Sequence, residues 1–161
     1  MRYLIDIDWS INALGRKRSA GTILRPLFSA GVAVSLLTIG ELYEGASASV
    51  NPEAHLERLQ RFLLSFRIVG INEPMMRRFG EMRSQLRGQG ELIPDIDLLI
   101  AATALHYDLT LLTFNRRHFE RIEQLCLYQP TLQQLTRSRS EKQSETLRYE
   151  PTATRTALLA Q

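Results

Sequence analysis

Asp95-Ile96-Asp97-Leu98-Leu99-Ile100-Ala101-Ala102-Thr103-Ala104-Leu105-His106-Tyr107 is the stretch on which the fold turns. Its length and unbroken apolar run predict a helix, and a helix apolar nearly all round must lie deeply buried. Its alanines permit close approach to a sheet. Leu109 to Thr113, just after it, is a short apolar run and predicts a strand. Working back, Glu73 to Arg87 forms an amphipathic helix, with Met75, Met76, Phe79, Met82 and Leu86 on one side and arginines mostly on the other; the glycines of Gly88-Gln89-Gly90 are expected to end it. Arg67 to Ile71 predicts a strand. Pro52 opens a helix whose stripe is Leu56, Leu59, Leu63 and Phe66. A further helix is expected from Thr38 until Ser47 to Asn51 break its pattern, preceded by a strand over Val32 to Leu37. Ser19 to Ala30 predicts a helix closed by Gly31, and Arg2 to Ile5 a strand ending at Asp6, while Ser10 to Leu14 is too short to assign alone. Beyond the deciding helix and its strand, Arg116 to Arg121 reads as a helical turn and Leu125 to Tyr128 as a candidate fifth strand.

Strands alternating with helices argue for a parallel sheet with right-handed crossovers, so the fold class is α/β with four to five strands. The pattern ends near Pro130. Residues 1–130 are expected to form one domain, and residues 131–161, polar and poor in large apolar side chains, a disordered tail. The 161 residues include one cysteine, Cys126, which excludes a disulfide framework and a cysteine-built zinc site. The N-terminal apolar run is too short for a signal peptide and no eighteen apolar residues follow one another, so a cytoplasmic protein is expected. The net charge is +3. Two of those charges arise after Thr136, where Arg137, Arg139, Lys142, Arg148 and Arg155 face Glu141, Glu145 and Glu150. A body so close to neutral does not attract nucleic acid by bulk charge.

In an open α/β sheet, ligands bind beyond the carboxyl ends of the strands. The residues expected there are acidic or polar: Asp6 and Asp8 after the first strand, Glu41 one turn into the next helix, Asp95 and Asp97 at the start of the buried helix, and Asn115 after the fourth strand. Carboxylates crowded together repel unless a positive charge lies between them, and an oxygen-rich cluster suits Mg²⁺ or Mn²⁺. Each acid also has a structural explanation. Thr38-Ile39-Gly40-Glu41 has the form of a capping box, Asp95 of an N-cap, and Asp97 of a first-turn acid favoured by the helix dipole. Asp6 has only a weak helix to cap.

Four blocks occur in order and spacing: Tyr3-Leu4-Ile5-Asp6-Ile7-Asp8, Ser35 to Gly45 around Glu41, Ile93 to Ala104 around Asp97, and Leu111-Leu112-Thr113-Phe114-Asn115-Arg116-Arg117-His118-Phe119 onward. Together they resemble the PIN-domain family, in particular the VapC-like toxins of toxin–antitoxin pairs, over residues 1–130. The resemblance implies a three-layer α/β/α sandwich and an endoribonuclease dependent on Mg²⁺ or Mn²⁺, with Asp6, Glu41 and Asp97 holding the ion and Asn115 assisting. It implies 5′-phosphate and 3′-hydroxyl products, a cognate antitoxin seated in a groove, and a homodimer. Asp8 and Asp95 would stand behind the matched acids. Arg116, Arg117 and His118 either hold the RNA backbone or lie on the surface. The family usually carries Thr or Ser and then Asn after its first acid; here Ile7 and Asp8 stand there, so a hydroxyl is lost and a carboxylate gained.

Two other functions remain open at this point. Asp6-Ile7-Asp8-Trp9-Ser10 also resembles the nucleophile loop of haloacid-dehalogenase-type phosphatases, but that family needs a lysine late in its core, and the lysines here are Lys17 and Lys142. The other is a catalytically weakened PIN-like scaffold that binds RNA or a protein, for which the Ile7 substitution speaks. His55 and His106 read as ordinary helix residues, and Met75, Met76 and Met82 as core or dimer packing.

Overall fold

Four short strands, β1 (Tyr3–Ile5), β2 (Val32–Ser35), β3 (Arg67–Val69) and β4 (Thr110–Leu112), pair in parallel in the order β3-β2-β1-β4. The structure is a computed structural model and describes residues 1–15 and 18–131. Leu4 lies opposite Ala33 and Leu111, and Ile5 opposite Val34 and Leu112. Side chains alternate along a strand, so these two rows point to opposite faces of the sheet. Both rows are fully buried, as parallel sheets require.

Helices α1 (Ile7–Leu14), α2 (Arg18–Leu27), α3 (Leu36–Ser47) and α4 (Pro52–Leu63) cover the face of Ile5, Val34 and Leu112 with Trp9, Leu24, Ile39, Leu42 and Leu59. Helices α5 (Glu73–Gln89), α6 (Asp95–His106) and α7 (Arg116–Phe119) cover the face of Leu4, Ala33 and Leu111 with Leu86, Leu98, Ile100, Ala101, Ala104 and Phe119. The result is the expected α/β/α sandwich. Helix α6 buries Leu98 and every residue from Ile100 to Ala104. Its one polar member in that run, Thr103, donates to the Leu99 carbonyl at 2.8 Å, so its burial leaves no hydroxyl unmatched. Met75 is buried and Met82 packs against this second core, whereas Met76 is exposed.

Local chemistry moves several boundaries. Ser35 rather than Thr38 caps α3: its hydroxyl accepts from the Thr38 N–H at 3.0 Å and pairs with the Thr38 hydroxyl at 2.9 Å. The strand therefore ends at Ser35 and the capping box expected at Thr38 and Glu41 does not form, which leaves Glu41 free of that duty. Helix α1 starts at Ile7 because Asp6 caps it. Helix α5 runs through Gly88 and ends where Gly90 adopts a left-handed conformation, φ 72°. The fifth strand shrinks to one parallel bridge, Leu111 to Leu127. Gln124 turns with φ 64°, and Pro130, which has no N–H to donate, stands two residues beyond Tyr128, whose amide donates to the Leu111 carbonyl at 2.9 Å, so the ladder does not extend. The expected disorder of residues 131–161 falls, apart from Thr131, on residues outside those described. Among the described residues no helix is long and apolar enough to cross a membrane.

β1 connects to β2 on one side, and the chain returns to β4 on the other. The direction of winding thus reverses between β1 and β4, which opens a crevice beyond their carboxyl ends.

Candidate active site

Asp6 leaves β1 directly into that crevice. It is 4% exposed, with one carboxylate oxygen accepting from the Ile7 N–H at 2.8 Å and the other from the Thr113 hydroxyl at 2.8 Å. The register explains the second bond: Ile5 pairs with Leu112, so Asp6 and Thr113 are the next residues out on adjacent strands. The same Thr113 oxygen accepts from the Asn115 N–H at 3.0 Å. Asp8 spans the same gap from α1, accepting from the Trp9 N–H and, across the crevice, from the Phe114 N–H, each at 2.6 Å.

Asp97, in the first turn of α6, faces the crevice from the other layer. His118 Nδ1 pairs with Asp97 Oδ2 at 2.5 Å. The Asn115 amide lies against the same pair, Nδ2 standing 3.4 Å from Asp97 Oδ2 and 2.8 Å from His118 Nδ1. Glu41 projects from α3, and its Oε2 is buried without a hydrogen-bond partner.

Burial pushes the Asp6 carboxyl up to about 6. The Ile7 amide and the Thr113 hydroxyl pull against that rise, and the charges of Asp8 and Asp97 add to it. Burial also raises Asp8, against the amides of Phe114, Trp9 and Asn115. Glu41 is raised by burial first, then by the charges of Asp6, Asp97 and Glu44. Acids from β1, α3 and α6 therefore act on one another across the crevice. Among the described residues, no lysine or arginine pairs with Asp6, Asp8, Glu41 or Asp97. As they stand, no three His, Cys, Asp or Glu side chains among those residues are gathered tightly enough to hold one ion.

A family model for the PIN domain matches residues 4–125. The chain belongs to the PIN-domain family. Within that family this PIN domain is VapC-like: it is 32% identical over 123 residues to ribonuclease VapC2 of Haemophilus influenzae Rd, covering 76% of this chain and 92% of that protein. It is 36% identical over 97 residues to ribonuclease VapC1 of Methanocaldococcus jannaschii, covering 60% of this chain and 68% of that one. In structure it is similar to VapBC2 from Rickettsia felis, solved bound to a DNA fragment from its promoter, with TM-score 0.75 and 30% identity over 81% of this chain and all of that one.

The PIN domain brings Asp6, Asp8, Asp97 and Asn115 to one crevice, with Glu41 in electrostatic reach, and leaves Asp95 out. Asp95 is exposed and bonded through both oxygens to Arg83, at 2.8 and 3.2 Å, and the cap of α6 is Pro94 with no side-chain bond. Arg83 holds the Asp95 carboxyl below the usual range. Arg116 is engaged by Glu120 at 2.8 Å and the Tyr128 carbonyl at 3.3 Å, whereas Arg117 is exposed. His118 is partly buried and faces Asp97. Both oxygens of Asp8 accept from backbone amides, an arrangement unlike the acid/base of the phosphatase reading. Thr113 escaped sequence reasoning altogether. The one available clue was a hydroxyl at a strand end, and its meaning depends on β4 lying beside β1.

Proposed function

We propose that this PIN domain is the toxin of a toxin–antitoxin pair, a cytoplasmic endoribonuclease that depends on Mg²⁺ or Mn²⁺ and hydrolyses RNA phosphodiester bonds. The observation that carries the reading is the convergence of Asp6, Glu41 and Asp97, delivered from three separate elements to one crevice, where the Asp97 charge raises both Asp6 and Glu41 and, among the described residues, no lysine or arginine pairs with any of the three. The donor set is all oxygen and includes a buried, unpartnered Glu41 oxygen, so it fits a hard divalent cation by chemistry and charge rather than by preformed geometry. Asp6, Glu41 and Asp97 would hold the ion, with Asn115 beside Asp97. A bound Mg²⁺ or Mn²⁺ supplies Lewis acidity toward phosphoryl oxygens and makes water a competent nucleophile near neutral pH.

The chain's own residues prepare that site. Thr113 fixes the plane of the Asp6 carboxylate, and His118 and Asn115 fix that of Asp97. Asp8 ties the loop after β4 to α1, so Thr113 and Asn115 keep their places. Although Ile7 carries no hydroxyl, Thr113 supplies one to Asp6, which favours a working enzyme over an inert scaffold. Residues 1–130 constitute the nuclease domain in this reading, with residues 131–161 appended to it. Incubating a structured RNA pool with the protein in Mg²⁺, Mn²⁺ or EDTA tests the proposal. Cuts should appear only with the ions and leave 5′-phosphate and 3′-hydroxyl ends. Equal cutting in EDTA would contradict it.

The antitoxin has a suitable berth. A groove of about 370 Å³ runs between α1, α3 and α4, lined by Ile7, Ile11, Leu14, Leu42 and Leu59 with Glu41 among them. Ile11 is 55% exposed. Ile11→Asp should weaken binding of the cognate antitoxin by about tenfold, the loss of roughly 1.5–3 kcal/mol of apolar burial being partly offset by residual contacts. Calorimetric titration of the two proteins checks this, and unchanged affinity would remove the groove from the interface. A homodimer belongs to the same proposal. Leu64, Ile68 and Ile71, exposed at and beside the edge strand β3, supply an apolar surface for a second copy.

A further inference from the structure

Phe114 stands between the two halves of the site. Thr113, on one side of it in the chain, is bonded to Asp6, and Asn115, on the other, reaches Asp97. Its own N–H is held by Asp8 at 2.6 Å, so its backbone is fixed from both layers. Its ring lies flat on Trp9, with centroids 4.7 Å apart and planes 15° from parallel. Trp9 is 2% exposed and is met edge-on by Tyr128, which in turn meets Tyr3 edge-on. A column of four aromatic rings thus rises from the core and ends in the Phe114 ring, which is anchored on one face while the residue stays 56% exposed. Isolated exposed apolar residues are ordinary. This one is held rigid, flat-on to a buried indole, and adjoins in the chain both residues that touch the acids.

We propose that the free face of Phe114 is a stacking platform for an unpaired RNA base next to the scissile phosphate. The proposal rests on the ribonuclease reading for the chemistry and adds the residue that seats the substrate. Every base has a π-face, so a fixed aromatic ring binds an unstacked nucleotide with little regard to its identity, whereas a base inside a duplex is already stacked and out of reach. The rigidity of the column lowers the ordering cost of that contact. Arg117, exposed three residues further on, lies close enough in the chain to meet the adjoining phosphate.

The test uses the full chain with Asp6→Asn to prevent turnover, and a fluorescein-labelled single-stranded oligoribonucleotide whose binding is read by anisotropy. Trp9 is the sole tryptophan, so its emission reports independently on events at Phe114. Phe114→Leu should weaken binding by about tenfold, within the range set by base–aromatic stacking, and Phe114→Tyr should restore it. Replacing nucleotides one at a time by abasic residues should reveal one position where the loss is about tenfold with Phe114 and absent with Phe114→Leu. Equal abasic losses in both proteins, or unaltered binding by Phe114→Leu, would overturn the platform. Cleavage by the chain with Asp6 intact is scored separately. If Phe114→Leu then cuts subsaturating RNA as fast as the unaltered chain, the platform falls and the nuclease reading stands. A chain that binds but never cuts overturns the nuclease reading, and the abasic comparison still decides Phe114.

Discussion

Asp6→Asn should lower RNA cleavage by more than about 100-fold, since changes to groups that merely support a metal ligand already cost about 10- to 100-fold. The same variant should be more stable than the unaltered protein at pH 7. The folded-state value of Asp6, about 6, lies above its ordinary 3.8, so the folded protein holds this proton more tightly than the unfolded chain does. Stability contributed by the protonated acid is present at pH 4 and is lost as the pH rises through about 6, a difference of about 3 kcal/mol at full ionisation. Asparagine retains an oxygen for the Ile7 N–H, presents an NH2 to the Thr113 oxygen where the second carboxylate oxygen stood, and cannot ionise. Thermal unfolding without divalent ions should show the two proteins nearly equal at pH 4 and the variant ahead by several degrees at pH 7. Mg²⁺ should then raise the transition of the unaltered protein and leave the variant little changed. A stability difference independent of pH would show that Asp6 carries no such burden.

Thr113→Val tests the residue that sequence reasoning missed. The substitution keeps the shape of a side chain that is 5% exposed and deletes the one hydroxyl that donates to Asp6 and accepts from the Asn115 N–H. The lost bonds should lower stability by about 1–3 kcal/mol and cleavage by about 10- to 100-fold. The direction of the pH effect is the sharper readout. The hydroxyl favours the ionised form of Asp6, so its removal should move the acid limb of the kcat/KM profile to higher pH, at an ion concentration below saturation, where protons and cation compete for the same carboxylate. Thr113→Ser should restore both rate and profile. A slower enzyme with an unmoved acid limb would assign Thr113 to packing alone.

The buried helix α6 was readable because its apolar residues leave no face for water, and that one fact demands two covering layers. Asp6 and Asn115 were readable because a strand's carboxyl end is a fixed address in a parallel sheet, and Asp97 because it opens the buried helix. Long-range geometry was not. The Asp6–Thr113 bond depends on the Ile5–Leu112 register, and that depends on β4 joining β1 rather than β3, which no local pattern encodes. Ser35 and Thr38 compete for the same cap, and the hydroxyl that wins is the one a turn further back, so the helix start was misplaced. The Leu125 to Tyr128 segment has strand composition, yet turn geometry and Pro130 confine it to one bridge. His118 and Arg116 look alike as basic residues after β4, but one is bound to Asp97 and the other to Glu120.

The central claim is that Asp6, Glu41 and Asp97 act as one cation site. The most direct measurement is Mn²⁺ titration of the full chain, followed by the loss of the free-ion paramagnetic resonance signal, for the unaltered protein and for Asp6→Asn, Glu41→Gln and Asp97→Asn. Saturable binding that weakens in all three variants is the predicted result. Binding that is indifferent to all three substitutions would contradict it.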